Sequence, residues 1–254
     1  MSFLRETWIV FARAMRLSLR NPVWVVIGLV QPLLYLALFG PLLKAVVQAT
    51  PGLPPGDEWQ IFVPGLLVQL GIFGAAFVGF SLIAEYRAGV IERMRVTPAH
   101  RLALLVGRMI RDVLVLLVQA IVLTVVAVPF GLRAPWAGVV LALLVVALLG
   151  ASFSALSYGT ALILKSEDAL APLLNGIAIP LLLLSGILLP MSIAPVWLED
   201  LSDANPIKHV VDGVRSFFLG DIASSTSVWG LFWALVLVVV GLAFGARTFR
   251  RESA

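Results

Sequence analysis

The sequence predicts an all-α polytopic membrane protein: six transmembrane helices, an N-terminal amphipathic interfacial helix, a short cytosolic helix between the second and third spans, and short extracellular or re-entrant helices before the last span. Three observations carry this prediction. First, 61% of the 254 residues are hydrophobic and only 13% are charged, with a mean hydropathy of +1.04, far from the composition of soluble domains. Second, six stretches contain no Asp, Glu, Lys or Arg: 21–43, 59–84, 113–132, 134–164, 169–198 and 222–246. Each is long enough to span, since roughly 20 apolar helical residues cross the hydrocarbon core. Third, with the N-terminus inside, only Lys44, Arg133, Lys208 and Arg215 of the 18 basic residues fall on the outer side. That asymmetry places both termini in the cytosol, the topology of a multi-pass protein of a bacterial inner or plasma membrane. The net charge of +4 and pI near 10.0 follow from this topology and give no support to nucleic-acid binding.

Residues 3–20 open the chain with Phe3, Leu4, Trp8, Phe11, Met15 and Leu19 on one helical face, and Arg5, Arg13, Arg16 and Arg20 largely on another. This is the pattern of an interfacial helix, read either as a lipid-surface anchor or as an elbow that also touches a cytosolic partner. The first apolar stretch starts late, is long and lacks a small-residue cleavage site, so it reads as a span and not a removable signal. The spans run at about 22–43, 60–84, 104–130, 136–164, 168–189 and 227–246, within a single transmembrane domain covering 1–254.

Asn21-Pro22 suits the start of the first span, which Gln31-Pro32 then interrupts with a kink. The second span (Gly65, Gly71, Gly74, Gly79) and the fourth (Gly150, Ser152, Ser154, Ser157, Gly159) are rich in small residues, which let helices approach closely in lipid. Trp59, Trp136, Trp229 and Trp233 fall near predicted outer ends, as in an interfacial aromatic belt. Ser166 suits the cap of the fifth span, with Glu167 and Asp168 in its first turn, and Pro172, Asn175 and Pro180 make that span irregular. Outside, residues 190–227 form the longest loop, with extracellular helices over 190–220. Within it Asn205-Pro206 begins a helix whose apolar face is Ile207, Val210, Val211, Val214, Phe217 and Phe218, while Lys208, Asp212 and Arg215 are spaced for an ion ladder on the opposite face.

The chemistry available is sparse. There are no cysteines, hence no disulfides or thiolates, and His100 and His209 fall on opposite sides of the membrane without metal-ligand spacing. No nucleophile elbow and no P-loop is present, and the span interiors offer only Gln31, Gln69, Gln119 and Asn175. Carriers driven by protons or sodium place ionisable groups within the membrane, so any driving energy has to come from a partner, or there is none. A passive pore or scaffold, and an intramembrane enzyme using those amides, are the alternatives.

Attention therefore falls on residues 84–101, a dense charged island between two uncharged stretches. Its residues Arg87, Glu92, Arg93 and Arg95 flank an apolar ridge of Val90, Ile91 and Met94, with Gly89 at the bend. Taken alone, the island reads as a docking surface or as a basic loop that fixes topology and holds lipid headgroups.

The run Glu85-Tyr86-Arg87-Ala88-Gly89-Val90-Ile91-Glu92-Arg93-Met94-Arg95-Val96-Thr97-Pro98, followed by Leu104 to Asp112, resembles the corresponding loop of type-2 ATP-binding-cassette exporter permeases, which include the daunorubicin-resistance-type transmembrane subunits. Asn205-Pro206 with Val211-Asp212-Gly213-Val214-Arg215 before the last span resembles a second hallmark of that family, and the six-span layout matches over nearly the whole chain.

The resemblance implies a permease subunit without catalytic residues or its own cofactor, ATP and magnesium being bound by two partner P-loop ATPase subunits. A second permease chain, identical or related, completes the complex. Residues 86–97 become a coupling helix, with Arg87, Gly89, Val90, Ile91, Glu92, Arg93, Met94 and Arg95 meeting the ATPase. Asn205, Pro206, Asp212 and Arg215 fall in an extracellular gate helix, and Gln69 and Asn175 along a substrate path for an amphiphilic drug, lipid or glycolipid. Metal ligands are not implied.

Overall fold

The computed structural model describes residues 2–42, 58–89 and 100–252, and all of its regular structure is helical. The helices are α1 (Phe3–Arg20), α2 (Val23–Leu34), α3 (Glu58–Ala76), α4 (Gly79–Arg87), α5 (Arg101–Ala127), α6 (Trp136–Leu164), α7 (Glu167–Leu184), α8 (Val196–Asp203), α9 (Pro206–Leu219) and α10 (Ser225–Glu252). Among the described residues, six segments are long and apolar enough to cross a bilayer: α2 with its continuation to Leu42, α3 with α4, α5, α6, α7 and α10.

The second span is the axis of the bundle. Two thirds of its most apolar window is buried (67%), against 11% for α7 and 17% for the first span. Leu66, Leu67, Val68 and Leu70 of α3 sit in one apolar core with Leu116 and Leu123 of α5, Val145 and Leu149 of α6, and Val210 and Val214 of α9. Lipid tails are as apolar as these side chains, so the helices are held by close contact and not by escape from water. The small residues supply that contact. A side chain at Gly71 would press on Leu149, one at Gly241 on Ser152, and one at Gly213 on Gly230. Ser152 Oγ also donates to the carbonyl oxygen of Leu237 at 2.6 Å, tying α6 to α10.

Two spans depart from regular α geometry. Pro32 lacks an amide hydrogen, and the helix loosens into a π-helical turn over Tyr35–Phe39. The second span opens at Phe77–Val78, between α3 and α4. Here Ser157 of α6 inserts its hydroxyl: Oγ donates to the carbonyl of Ala76 and accepts from the amide of Gly79 at 2.9 Å. A side chain entering a helix ladder is a recognised cause of kinks, and this one re-aims α4. Only glycine fits at position 79, where a Cβ would lie 2.7 Å from Ser157 Oγ and its carbonyl oxygen.

Several local expectations are corrected. Pro22, not Asn21, is the residue before the first helical position of α2, while the Asn21 amide closes α1 on Ser18. Ser166 precedes α7 in an extended conformation but makes no capping hydrogen bond. Trp59 is not in an interfacial belt: it is buried, packs on Phe130 with ring centroids 5.6 Å apart, and lies against Gly40 and Gly131, whereas Trp136 and Trp229 remain exposed. Of the ladder expected from Lys208 through Asp212 to Arg215, only the Asp212–Arg215 step forms, at 3.5 Å. Lys208 turns to Asp203, and Arg215 points inward.

Candidate functional site

A cluster of charged residues lies at one end of the bundle, where the second span meets the third. α4 ends at Arg87 and leads to Gly89, whose φ of +67° is a left-handed turn that suits glycine. α5 begins after His100. Val90, Ile91, Glu92, Arg93, Met94 and Arg95 lie outside the described residues, as does Thr97-Pro98, so the structure shows the two feet of this loop.

Both feet are clamped. On the upstream side, Glu85 Oε2 accepts from Arg108 Nη2 of α5 at 2.5 Å, and Arg87 Nη1 pairs with Glu167 Oε1 of α7 at 3.5 Å. The Lys165 ammonium lies 5.7 Å from the ring centroid of Tyr86. On the downstream side, Glu6 Oε2 of α1 accepts from the backbone amide of His100 at 2.7 Å and lies 3.1 Å from its Nδ1, while Phe3 meets the His100 ring edge-on. The His100 amide is the largest cause of a Glu6 carboxyl held below its ordinary value of 4.5, with the imidazole adding to the effect.

Behind these contacts lies a buried polar knot. Arg111 reaches Ser18 Oγ of α1 at 3.3 Å and Asp112 Oδ1 at 3.2 Å, and Tyr158 of α6 donates to Asp112 Oδ2 at 2.6 Å. Asp112 and Arg108 are both buried, so the first turns of α5 are far more polar inside the protein than expected from spans with only neutral polar groups. Leu82, Ile83, Leu105, Tyr158, Leu170 and Phe249 pack into a second apolar cluster around the knot. α1 is thus part of the bundle: Thr7 and Val10 lie against Gly107, and Ser18 against Arg111, so it runs beside the opening turns of α5. Its opposite face carries Trp8, Arg13, Arg16 and Arg20 around a shallow groove of about 440 Å³.

Arranged this way, α1, α4, α5, α6 and α7 all reach the loop's feet, so a force applied there passes into the second and third spans through charged contacts. The remaining residues singled out from sequence lie elsewhere. Asn205 caps α9, its side chain accepting from the Ile207 amide at 3.0 Å, with Pro206 in the first turn. Asp212 and Arg215 follow on the same helix, at the far end of the bundle, 3.5 Å apart. Gln69 is buried in α3, its Oε1 without a hydrogen-bond partner, and Asn175 is exposed on α7.

The ABC-2 type transporter family model matches residues 5–219, most of the chain. The chain belongs to the ABC-2 type transporter family. It is similar to the daunorubicin resistance ABC transporter permease protein DrrB1 of Streptomyces coeruleorubidus, with 27% identity across 89% of this chain and 77% of that protein. It is also similar to the Escherichia coli inner membrane transport permease YadH, with 28% identity over 82% of this chain and 79% of the relative. A Mycobacterium tuberculosis permease protein, DrrC, named for doxorubicin resistance, is 25% identical over 99% of this chain and 90% of its own length. Accordingly this ABC-2 chain is a multi-pass transport permease, a subunit type that works with ATPase subunits.

The island itself was legible in sequence, but the roles of Glu6, Glu85, Arg108, Asp112, Tyr158 and Ser157 were not. One signal for the Glu85–Arg108 pair was present: opposite charges at similar depth on two antiparallel spans joined by a short loop.

Proposed function

We propose that this permease forms the membrane path of an ATP-driven exporter, moving an amphiphilic drug, lipid or glycolipid out of the cytoplasm or inner leaflet. The observation that carries this reading is the double clamp on the loop between the second and third spans. The clamped end is cytosolic, in keeping with the distribution of basic residues. Two P-loop ATPase subunits carrying ATP and magnesium engage residues 87–95, and their closure moves α4 and α5 as a unit because Glu85–Arg108 joins them. The groove face of α1, with its unburied arginines, meets lipid headgroups beside the docked ATPase.

A second permease chain covers the faces of α2 and α7 that this chain leaves open. Asn175 supports that arrangement, since an exposed amide in the middle of a span is costly against lipid and calls for a protein or substrate partner. Gln69 is one turn from Gly65 on the face of α3 that meets the end of the fifth span, and its unpartnered carbonyl oxygen is a hydrogen-bond acceptor for passing substrate. Drug resistance in the names of relatives supports an amphiphilic substrate.

The test is co-expression with a P-loop ATPase from a neighbouring reading frame, followed by co-purification and ATP-dependent efflux of a fluorescent amphiphile from inverted vesicles or cells. A stable complex with ATP-dependent efflux is expected. A permease that purifies alone and passes solute without ATP would mean a passive pore.

A further inference from the structure

We propose that Arg215 is the positioning residue that holds the far ends of the second and fifth spans closed against each other. After α7 ends at Leu184, the chain does not turn out to solvent at once. Ser185, Gly186 and Ile187 are buried in non-helical backbone, with Gly186 at φ +69°. Backbone outside a helix is tolerated at membrane depth only where other protein groups satisfy it. Arg215 does so. Its Nη2 donates to the carbonyl oxygens of Gly186 at 2.6 Å and Ile187 at 3.4 Å, while Nε donates to that of Ile61, in the first turn of α3, at 3.0 Å.

One planar guanidinium thereby joins three elements, because a rigid fork of donors can serve several acceptors at fixed angles. Asp212 supplies the countercharge at 3.5 Å from Nη1. The join is tight: a Cβ at Gly65 would lie 2.1 Å from the Ile187 carbonyl oxygen, so the bent segment rests directly on the second span. The Gly186 and Ile187 carbonyls lie beyond the end of α7, so releasing them exposes acceptors with no helical partner, while the Ile61 carbonyl, in the first turn of α3, takes the Arg215 donor in addition to its place in the helix. Opening between these two spans therefore runs through Arg215. The inference gives a closing element to the export path proposed above, yet the contacts exist in the single chain and are testable without transport.

The chain has no cysteine, so one introduced thiol is an unambiguous reporter. Ile187→Cys replaces a side chain with no exposed surface, and Leu149→Cys does the same in the middle of α6 as a control. Purified full-length permease in lipid nanodiscs is treated with a maleimide, in the parent and with Arg215→Gln or Arg215→Lys. Labelling at 187 is expected to rise roughly tenfold or more with Arg215→Gln, and less with Arg215→Lys, while labelling at 149 stays slow, the pattern of a local opening. Should Arg215→Gln fail to insert, Arg215→Lys alone decides. Unchanged labelling at 187 in every variant that folds would overturn the inference, and so would equal acceleration at 149, which would make Arg215 a general structural support. Efflux by the complex is scored separately, so loss of the exporter reading leaves this result interpretable.

Discussion

Replacing Arg108 by methionine removes the cation that ties α5 to the end of the second span while keeping an unbranched apolar stem. Arg108 is 8% exposed in its side chain and Glu85 is 33% exposed. Breaking a fully buried ion pair costs about 3–5 kcal/mol, and a hydrogen bond to a charged group contributes about 1.5–3 kcal/mol. Glu85 regains part of its hydration once released, so the expected loss is near the lower figures, about 2 kcal/mol. That is equivalent to roughly a thirtyfold shift between clamped and released arrangements of the loop's feet.

The assay is a double-mutant cycle with Glu85→Gln, read by thermal unfolding in detergent and by ATP-dependent efflux at matched expression. Each single change should cost both stability and efflux, the double change should cost less than their sum, and the exchange Glu85→Arg with Arg108→Glu should restore part of the efflux. Full efflux in both single variants, with no coupling in the cycle, would refute the claim that this pair transmits motion between α4 and α5.

Three further outcomes follow from the same contacts. Glu6 is held below its ordinary carboxyl value, so its link to His100 is complete above pH 4.5 and is lost as pH falls below that through the lower folded-state value. Hydrogen exchange should show α1 loosening over that acid range in the parent, and Glu6→Gln should remove this dependence and leave α1 looser at neutral pH. Ser157→Ala deletes the hydroxyl that bridges Ala76 and Gly79; it should cost about 1–3 kcal/mol in unfolding and alter efflux more than ATPase docking, since α4 loses its bend and not its clamp. Gly138→Ala drives a methyl to 1.9 Å from the Phe217 carbonyl oxygen; a loss of about 1–3 kcal/mol in thermal unfolding is expected as α9 shifts from α6, and unchanged stability would contradict that close packing.

The spans were legible because charge-free length is a sufficient signal in lipid, and the island at 84–101 stood out against them. Its internal contacts were harder to read. Glu85 and Arg108 are 23 positions apart and meet across two helices, α4 and α5, so no local spacing pairs them. Arg108, Arg111 and Asp112 fall in the opening turns of the third span, where α5, continuous from Arg101, buries Arg108 and Asp112 and half-buries Arg111, with Ser18 of α1 and Tyr158 of α6 as polar partners. Ser157 looked like one more small residue in the fourth span; its insertion into another helix's ladder leaves no periodic trace. Arg215 was placed with Lys208 and Asp212 by spacing, but it lies one turn from Val211 at the edge of the apolar stripe, where a long side chain can reach inward to carbonyls. Trp59 misled for a related reason: an aromatic near a predicted span end is equally suited to fill the gap left by Gly40 and Gly131.

The central claim is that a separate ATPase drives this permease through the loop between its second and third spans. Site-specific photocrosslinking from Ile91 and Met94, in membranes containing the permease and its ATPase, tests it most directly. The account predicts crosslinks to the ATPase from both positions, and a loss of efflux in Glu92→Ala or Arg93→Ala with insertion retained. Crosslinks only to lipid, together with full efflux in both alanine variants, would contradict it.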